Sequence, residues 1–260
     1  MLGSTFPLVS AVGPFLARVF SRKARAAERP APAFGGPDDG FEVEARIGRG
    51  RRGEVYRVVR ASDGKRLACK ALPAAEASSL LRLATETAVL QRLAHPRLLA
   101  RVAVGVARRS QPYVLSELCE GPSLEEARLH FGDVPWVLAR LSEIADGLAA
   151  LHASGITHNN LKPENVLLDR GSHALLADVG LAPLGDEAPS RAADVYALGL
   201  LAEELLTRSR TGNGVPATGG LPRHIARMLS ACVEKDPERR PSAADVHSTL
   251  ELISCSVAVA

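Results

Sequence analysis

The chain has 260 residues, 46% of them hydrophobic and only 4% aromatic, so it can bury a sizeable core built mainly from Leu, Val and Ala. Arg18, Arg22, Lys23, Arg25 and Arg29 stand against Glu28 in residues 1–34, a local +4 within a total of +3. The body is therefore near neutral and offers no basic footprint for nucleic acid. Its four cysteines, at 69, 119, 232 and 255, have neither metal-ligand spacing nor a dense disulfide pattern, which fits a reducing, cytoplasmic setting.

Residues 1–25 form an apolar and basic segment. Leu2 to Ala17 is uncharged, too short for a comfortable membrane span, and lacks the basic start of a secretion signal. Val9, Val12, Leu16 and Val19 share one helical face. Laid on a surface, that helix would bring its basic flank to anionic lipid and make the protein membrane-peripheral. The plainer reading is an unstructured leader or a docked helix. Residues 26–40 are rich in Pro and Gly and read as a linker.

The folded body is expected over 41–255. Strands are predicted at 41–48, 54–61 and 66–72, with Asp63-Gly64 as a hairpin turn. A helix over 75–94 ends at His95-Pro96, and strands follow near 98–106 and 112–117. From there the pattern is helical: 134–153, then 193–208, 222–233 and 242–253, the last with Ser242 as N-cap. Short strands at 165–168 and 174–177 flank the turn Asp169-Arg170-Gly171. The fold class is α+β, with a β-rich lobe over about 41–117 and a larger helical lobe over about 122–255.

Several motifs carry chemistry. Gly48-Arg49-Gly50-Arg51-Arg52-Gly53 lies between two strands, where glycines let backbone approach a phosphate. Alone it is weak, since a glycine hairpin explains it equally well. The three arginines could hold phosphate or an acidic partner, but a solvated hairpin tip is the plainer reading. Ala68-Cys69-Lys70 follows, then Glu86, Ser116-Glu117-Leu118-Cys119, His158-Asn159-Asn160-Leu161-Lys162-Pro163-Glu164-Asn165, Asp178-Val179-Gly180, Asp194-Val195-Tyr196-Ala197-Leu198-Gly199 and Asp236-Pro237-Glu238-Arg239-Arg240-Pro241. In this order and spacing, the chain resembles a eukaryotic-type Ser/Thr protein kinase domain over about 41–253.

The resemblance implies a bilobal fold that binds ATP and Mg. Gly48, Gly50 and Gly53 would approach the phosphates, and Lys70 would pair with Glu86 and the α/β-phosphates. Val55, Ala68 and Leu167 would sandwich adenine, although core packing explains them as well. Glu117 and Cys119 would lie at the hinge behind Ser116. Cys69 and Cys119 are otherwise small buried hydrophobes. Asn165 and Asp178 would hold the metal, as oxygen donors suit a hard cation. Lys162 would neutralise the transferred phosphate.

The departures lie on the substrate side. Asn160 stands where the family has its catalytic Asp, and a neutral amide cannot accept the substrate's proton. Asn159 replaces an Arg that anchors an activating phosphate. Only thirteen residues, 181–193, separate Gly180 from Asp194, far fewer than the family's activation segment. No Ala-Pro-Glu motif is present, so Arg240 lacks its family partner and is expected to face solvent. Val179 replaces a Phe beside His158 and Leu90. Residues 207–220 read as a loop where the family has a docking helix.

The expectation is a degraded, pseudokinase-like domain that binds ATP and regulates a protein partner. A weakly active Ser/Thr kinase is the first alternative, since positioning supplies much of phosphoryl transfer. A nucleotide-independent interaction module is the second.

Overall fold

Alternating side chains build the first sheet. In the computed structural model, which describes residues 40–50, 53–73, 80–107, 111–181, 190–209 and 221–257, β1 spans Phe41–Gly50, β2 Gly53–Arg60 and β3 Arg66–Ala71. β4 (Arg101–Ala107) and β5 (Gln111–Glu117) complete an antiparallel five-stranded sheet in the order β1-β2-β3-β5-β4. The β2–β3 connection uses Asp63-Gly64 as expected. Gly64 adopts φ +70, and Asp63 holds Arg60 across the turn.

The register decides which residues share a face. Tyr56 pairs with Cys69 and Cys69 with Leu115, while Val58 pairs with Leu67. These side chains are buried together with Phe41 and Tyr113, whose rings meet edge to face at 5.3 Å. Cys69 is thus a core residue, the plainer of its two readings. The other face carries Val55, Ala68 and Lys70.

α1 spans Leu80–Leu93; the first residues expected of it, 75–79, lie outside the described residues. Ala94 at φ 40 and His95-Pro96 end it. α2 covers Val134–Ala153, the predicted bounds. Asp133 accepts the Trp136 N–H at its start and Pro135 occupies its first turn, where no N–H is needed. Its Leu141, Ile144, Leu148 and Leu151 recur at helical spacing and are fully buried.

β6 (Val166–Leu168) and β7 (Ala174–Leu176) form a hairpin. α3 (Arg191–Thr207) starts slightly earlier than expected because Ser190 caps it, accepting from the Ala193 N–H at 3.1 Å. α4 is Arg223–Cys232 and α5 Ala243–Val257. Ser242 caps α5 reciprocally: its hydroxyl accepts from Asp245 N, and the Asp245 carboxylate accepts from Ser242 N and Oγ.

The chain divides into two units. One runs to Thr87 and takes in Arg101–Leu118; the other comprises Ala88–Ala100 and everything from Cys119 onward. The first is the sheet unit with its small core. The second is helical, with a larger core in which α2 is central. Residues 1–39 and the expectations for a leader and linker lie outside the described residues. Among the described residues, no helix is long and apolar enough to cross a membrane.

Candidate functional site

In the sheet unit, register lines up Gly48, Val55 and Lys70 across β1, β2 and β3, with Ala68 two residues along β3 and paired to Ser116. Five predicted positions therefore fall on or beside one sheet face. The glycines differ in what they require. Gly53 has φ +115, and a Cβ there would lie 1.8 Å from the Ala71 carbonyl oxygen. The fold itself demands that glycine. A Cβ on Gly50 would meet nothing within 4 Å, and one on Gly48 would make only ordinary contact with Val55. Local packing thus gives no reason for glycine at 50. Arg51 and Arg52, the expected tip, lie outside the described residues.

Glu86 lies on α1 with a largely buried side chain. Its expected partner was Lys70. Instead, Arg82 one turn earlier donates from Nη1 to Glu86 Oε1 at 2.9 Å, and Glu86 Oε2 is buried without a hydrogen bond. Burial pushes the Glu86 carboxyl above its ordinary value, while the positive charges of Arg82 and Arg101 oppose that shift. The side chain of Glu117 is exposed and pairs with Lys65 at 2.7 Å, so only its backbone is available for a hinge role.

In the helical unit, the loop 158–165 is anchored through α3. The Asp194 carboxylate is almost fully buried and accepts from His158 N and Asn159 N, both at 2.7 Å, and lies 2.9 Å from His152 Nε2. Asn159 adopts the left-handed conformation at φ 60, and its amide donates to Thr157 Oγ1 at 2.8 Å. Asn tolerates that backbone better than most side chains, so this substitution suits the bend.

Asn165 is buried and ties the centre together. Its Nδ2 donates to the Asn160 carbonyl at 2.7 Å, and its own carbonyl accepts from Ala177 N at 2.9 Å. The Asp178 segment is held to the same loop, since Gly180 N donates to the His158 carbonyl at 3.1 Å. Asp178 itself has φ +59. With its nitrogen committed, Asn165 retains Oδ1 as an oxygen donor. Asn165 and Asp178 therefore fit a hard cation in donor type and in how their segments are joined.

The remaining predicted residues are less engaged. Lys162 is half exposed, with Glu164 3.7 Å away. Leu167 lies between buried Val166 and Leu168 on β6 and faces the other way. Cys119 Sγ is half-buried and donates to the Leu168 carbonyl at 3.3 Å; burial pushes its thiol pKa up, against a reactive role. Val179 is buried within the larger core, which also contains Leu90.

Arg240 corrects an expectation. It does not simply face solvent. Its guanidinium donates to the carbonyls of Ala192 at 2.9 Å, Glu234 at 2.8 Å and Lys235 at 3.4 Å, and lies 4.8 Å from the Tyr196 ring centroid. Among the described residues, backbone acceptors and an aromatic face occupy it. The segment 182–189 that would supply a substrate platform lies outside the described residues.

Residues 41–215 match the model of the protein kinase domain family. The serine/threonine-protein kinase PkaA of Streptomyces coelicolor is 30% identical over 84% of this chain and 51% of its own length. The serine/threonine-protein kinase PknL of Mycobacterium bovis is 32% identical over 65% of this chain and 50% of its own. The chain thus spans about half of these relatives. Among solved structures, the PknI kinase domain of Mycobacterium tuberculosis superposes with a TM-score of 0.68 at 26% identity, covering 82% of this chain and 95% of that one.

Proposed function

Because the chain belongs to the protein kinase domain family, we propose that it binds ATP with magnesium, transfers phosphate poorly or not at all, and acts on a protein partner through its nucleotide-dependent conformation. The observation carrying this reading is the loop around Asn165. That loop buries Asn165 and ties its backbone carbonyl to Ala177 N, next to Asp178, while the amide Asn160 stands where a base is needed. When bound, magnesium would neutralise phosphate charge there. Lys70 would add a positive charge from β3, and Gly50 would leave room for backbone to approach the nucleotide. Asn160 can orient a hydroxyl by hydrogen bonding but cannot take its proton at neutral pH.

A weakly active Ser/Thr kinase is the second reading. It is favoured by the intact loop anchoring through Asp194, because positioning and electrostatics supply most of the catalysis in this chemistry. Calorimetry with magnesium and ATP tests the shared premise: no binding at millimolar nucleotide would overturn both readings and leave a nucleotide-independent module. Labelled-phosphate transfer by Asn160→Asp separates the two. If only the base is missing, the rate should rise by about 10²-fold or more over the unmodified chain. No gain would place the defect in the substrate side as well.

A further inference from the structure

β7 is short, Ala174–Leu176, and leads straight into the residues assigned above to the metal. Ala177 N donates to the Asn165 carbonyl at 2.9 Å, and Asp178 comes next. Pairing with β6 over so few residues is too little to fix such a strand by itself. Its outer edge supplies the rest. Leu176 N donates to the Arg97 carbonyl at 2.8 Å, and Leu99 N donates to the Leu176 carbonyl at 3.0 Å. Two residues earlier on the same edge, Ala174 N donates to a side chain, Glu143 Oε2 on α2, at 2.8 Å.

The Glu143 carboxylate gathers more than this one contact. Oε1 lies 2.6 Å from His173 Nδ1 and accepts from Arg140 Nη2 at 3.3 Å, and Arg97 Nη1 is 3.4 Å away. One side chain thus grips β7, the turn before it and the 97–99 segment paired with it. It is 12% exposed, so solvent and salt screen these contacts little. It also stands on a fixed base, since Leu141 and Ile144 beside it on α2 are fully buried. All of these groups belong to the helical unit.

We propose that Glu143 is a positioning residue for the metal site: its carboxylate fixes β7 against α2 and so sets where Asp178 stands relative to Asn165. The consequence for magnesium rests on the ATP-binding reading above; the placement of β7 does not. Holding two guanidinium groups and a backbone N–H at once calls for a carboxylate. An amide of the same shape still accepts from Ala174 N, but its NH2 then faces the His173 ring and the arginines.

The test uses the full chain with Glu143→Gln and two readouts. Without nucleotide, amide exchange across residues 174–180 should quicken by about tenfold, while Leu148 and Leu151 in α2 keep their rates. With nucleotide, the magnesium concentration that half-saturates ATP binding should rise by about three- to tenfold, whereas ATP affinity in a chelator should change by less than about twofold. A merely structural tie would weaken both alike. His173→Ala removes one contact at a half-exposed position and keeps the test open should Glu143→Gln not fold; it should move both readouts in the same direction by a smaller factor. Unchanged exchange across 174–180 in the folded variants would overturn the proposal, as would an equal loss of ATP affinity with and without magnesium. Faster exchange with no ATP binding by the unmodified chain would sink the nucleotide reading and its magnesium consequence, and leave Glu143 as the residue that places β7.

Discussion

A carboxamide at 160 differs from a carboxylate in charge and basicity but hardly in shape, and the loop contacts of Asn160 run through its backbone. Its neighbour His158 is fully buried, and its Nδ1 accepts from Asn160 N at 3.3 Å. Burial holds the His158 pKa below its ordinary value, against the opposing pull of Asp194 and Asp178. A group whose folded pKa is depressed contributes stability above its unfolded value of 6.5, and that stability is lost as pH falls through the folded one. Protonation would also remove the acceptor for Asn160 N. Denaturation midpoints should therefore fall as pH drops below about 6.5, and His158→Phe should flatten that part of the profile. A profile unchanged by the substitution would assign the titration elsewhere. The chemistry-bearing residue types were legible here because they stand in one short run. The Arg82–Glu86 pair was not, because a helix places every residue beside two neighbours and sequence does not say which partner a charge prefers.

At the scale of elements, chain-local signals were the readable ones. The bounds of α2 follow from Asp133, Pro135 and a regular apolar stripe, and the β2–β3 turn follows from Asp63-Gly64. The anchoring of Arg240 was invisible because its acceptors at Ala192, Glu234 and Lys235 are backbone carbonyls brought to it only by the fold. Two experiments follow. Gly53→Ala should cost about 3 kcal/mol or more, since it combines an unfavourable φ with a backbone collision, whereas Gly50→Ala should leave the melting temperature nearly unchanged. Any loss of nucleotide affinity in Gly50→Ala would then report on the ligand rather than the fold; equal melting losses would remove that distinction. Arg240→Ala should cost about 1–2 kcal/mol by leaving carbonyls and the Tyr196 face without their partner. Arg240→Lys should recover little of it, because an ammonium lacks the planar fork that reaches several acceptors at once. Full recovery by lysine would show that charge alone matters there.

For the molecule as a whole, the two units differ in how much apolar surface they bury. The sheet unit rests on a small cluster around Phe41, Val58, Leu67 and Leu115, while the helical unit packs α2, α3, α4 and α5 around a much larger one. Ordering each residue costs about 1–2 kcal/mol of backbone entropy in either unit, and a smaller folded unit sets a smaller total burial against that cost, so the sheet unit has the smaller margin. Several of its side-chain contacts, such as Arg57–Glu44, Arg66–Glu44 and Lys65–Glu117, are exposed ion pairs that add little. Amide hydrogen exchange should therefore show β1 and β2 opening at a free energy lower by about 1–2 kcal/mol or more than the centre of α2. The single tryptophan, Trp136, gives an independent check, as it lies in the helical unit and stacks on His130 at 4.8 Å. Its fluorescence should follow the later of two denaturant transitions, with the sheet amides lost in the earlier one. Coincident transitions and uniform exchange would mean that the two units unfold as one cooperative body, and that the small core draws its stability from outside itself.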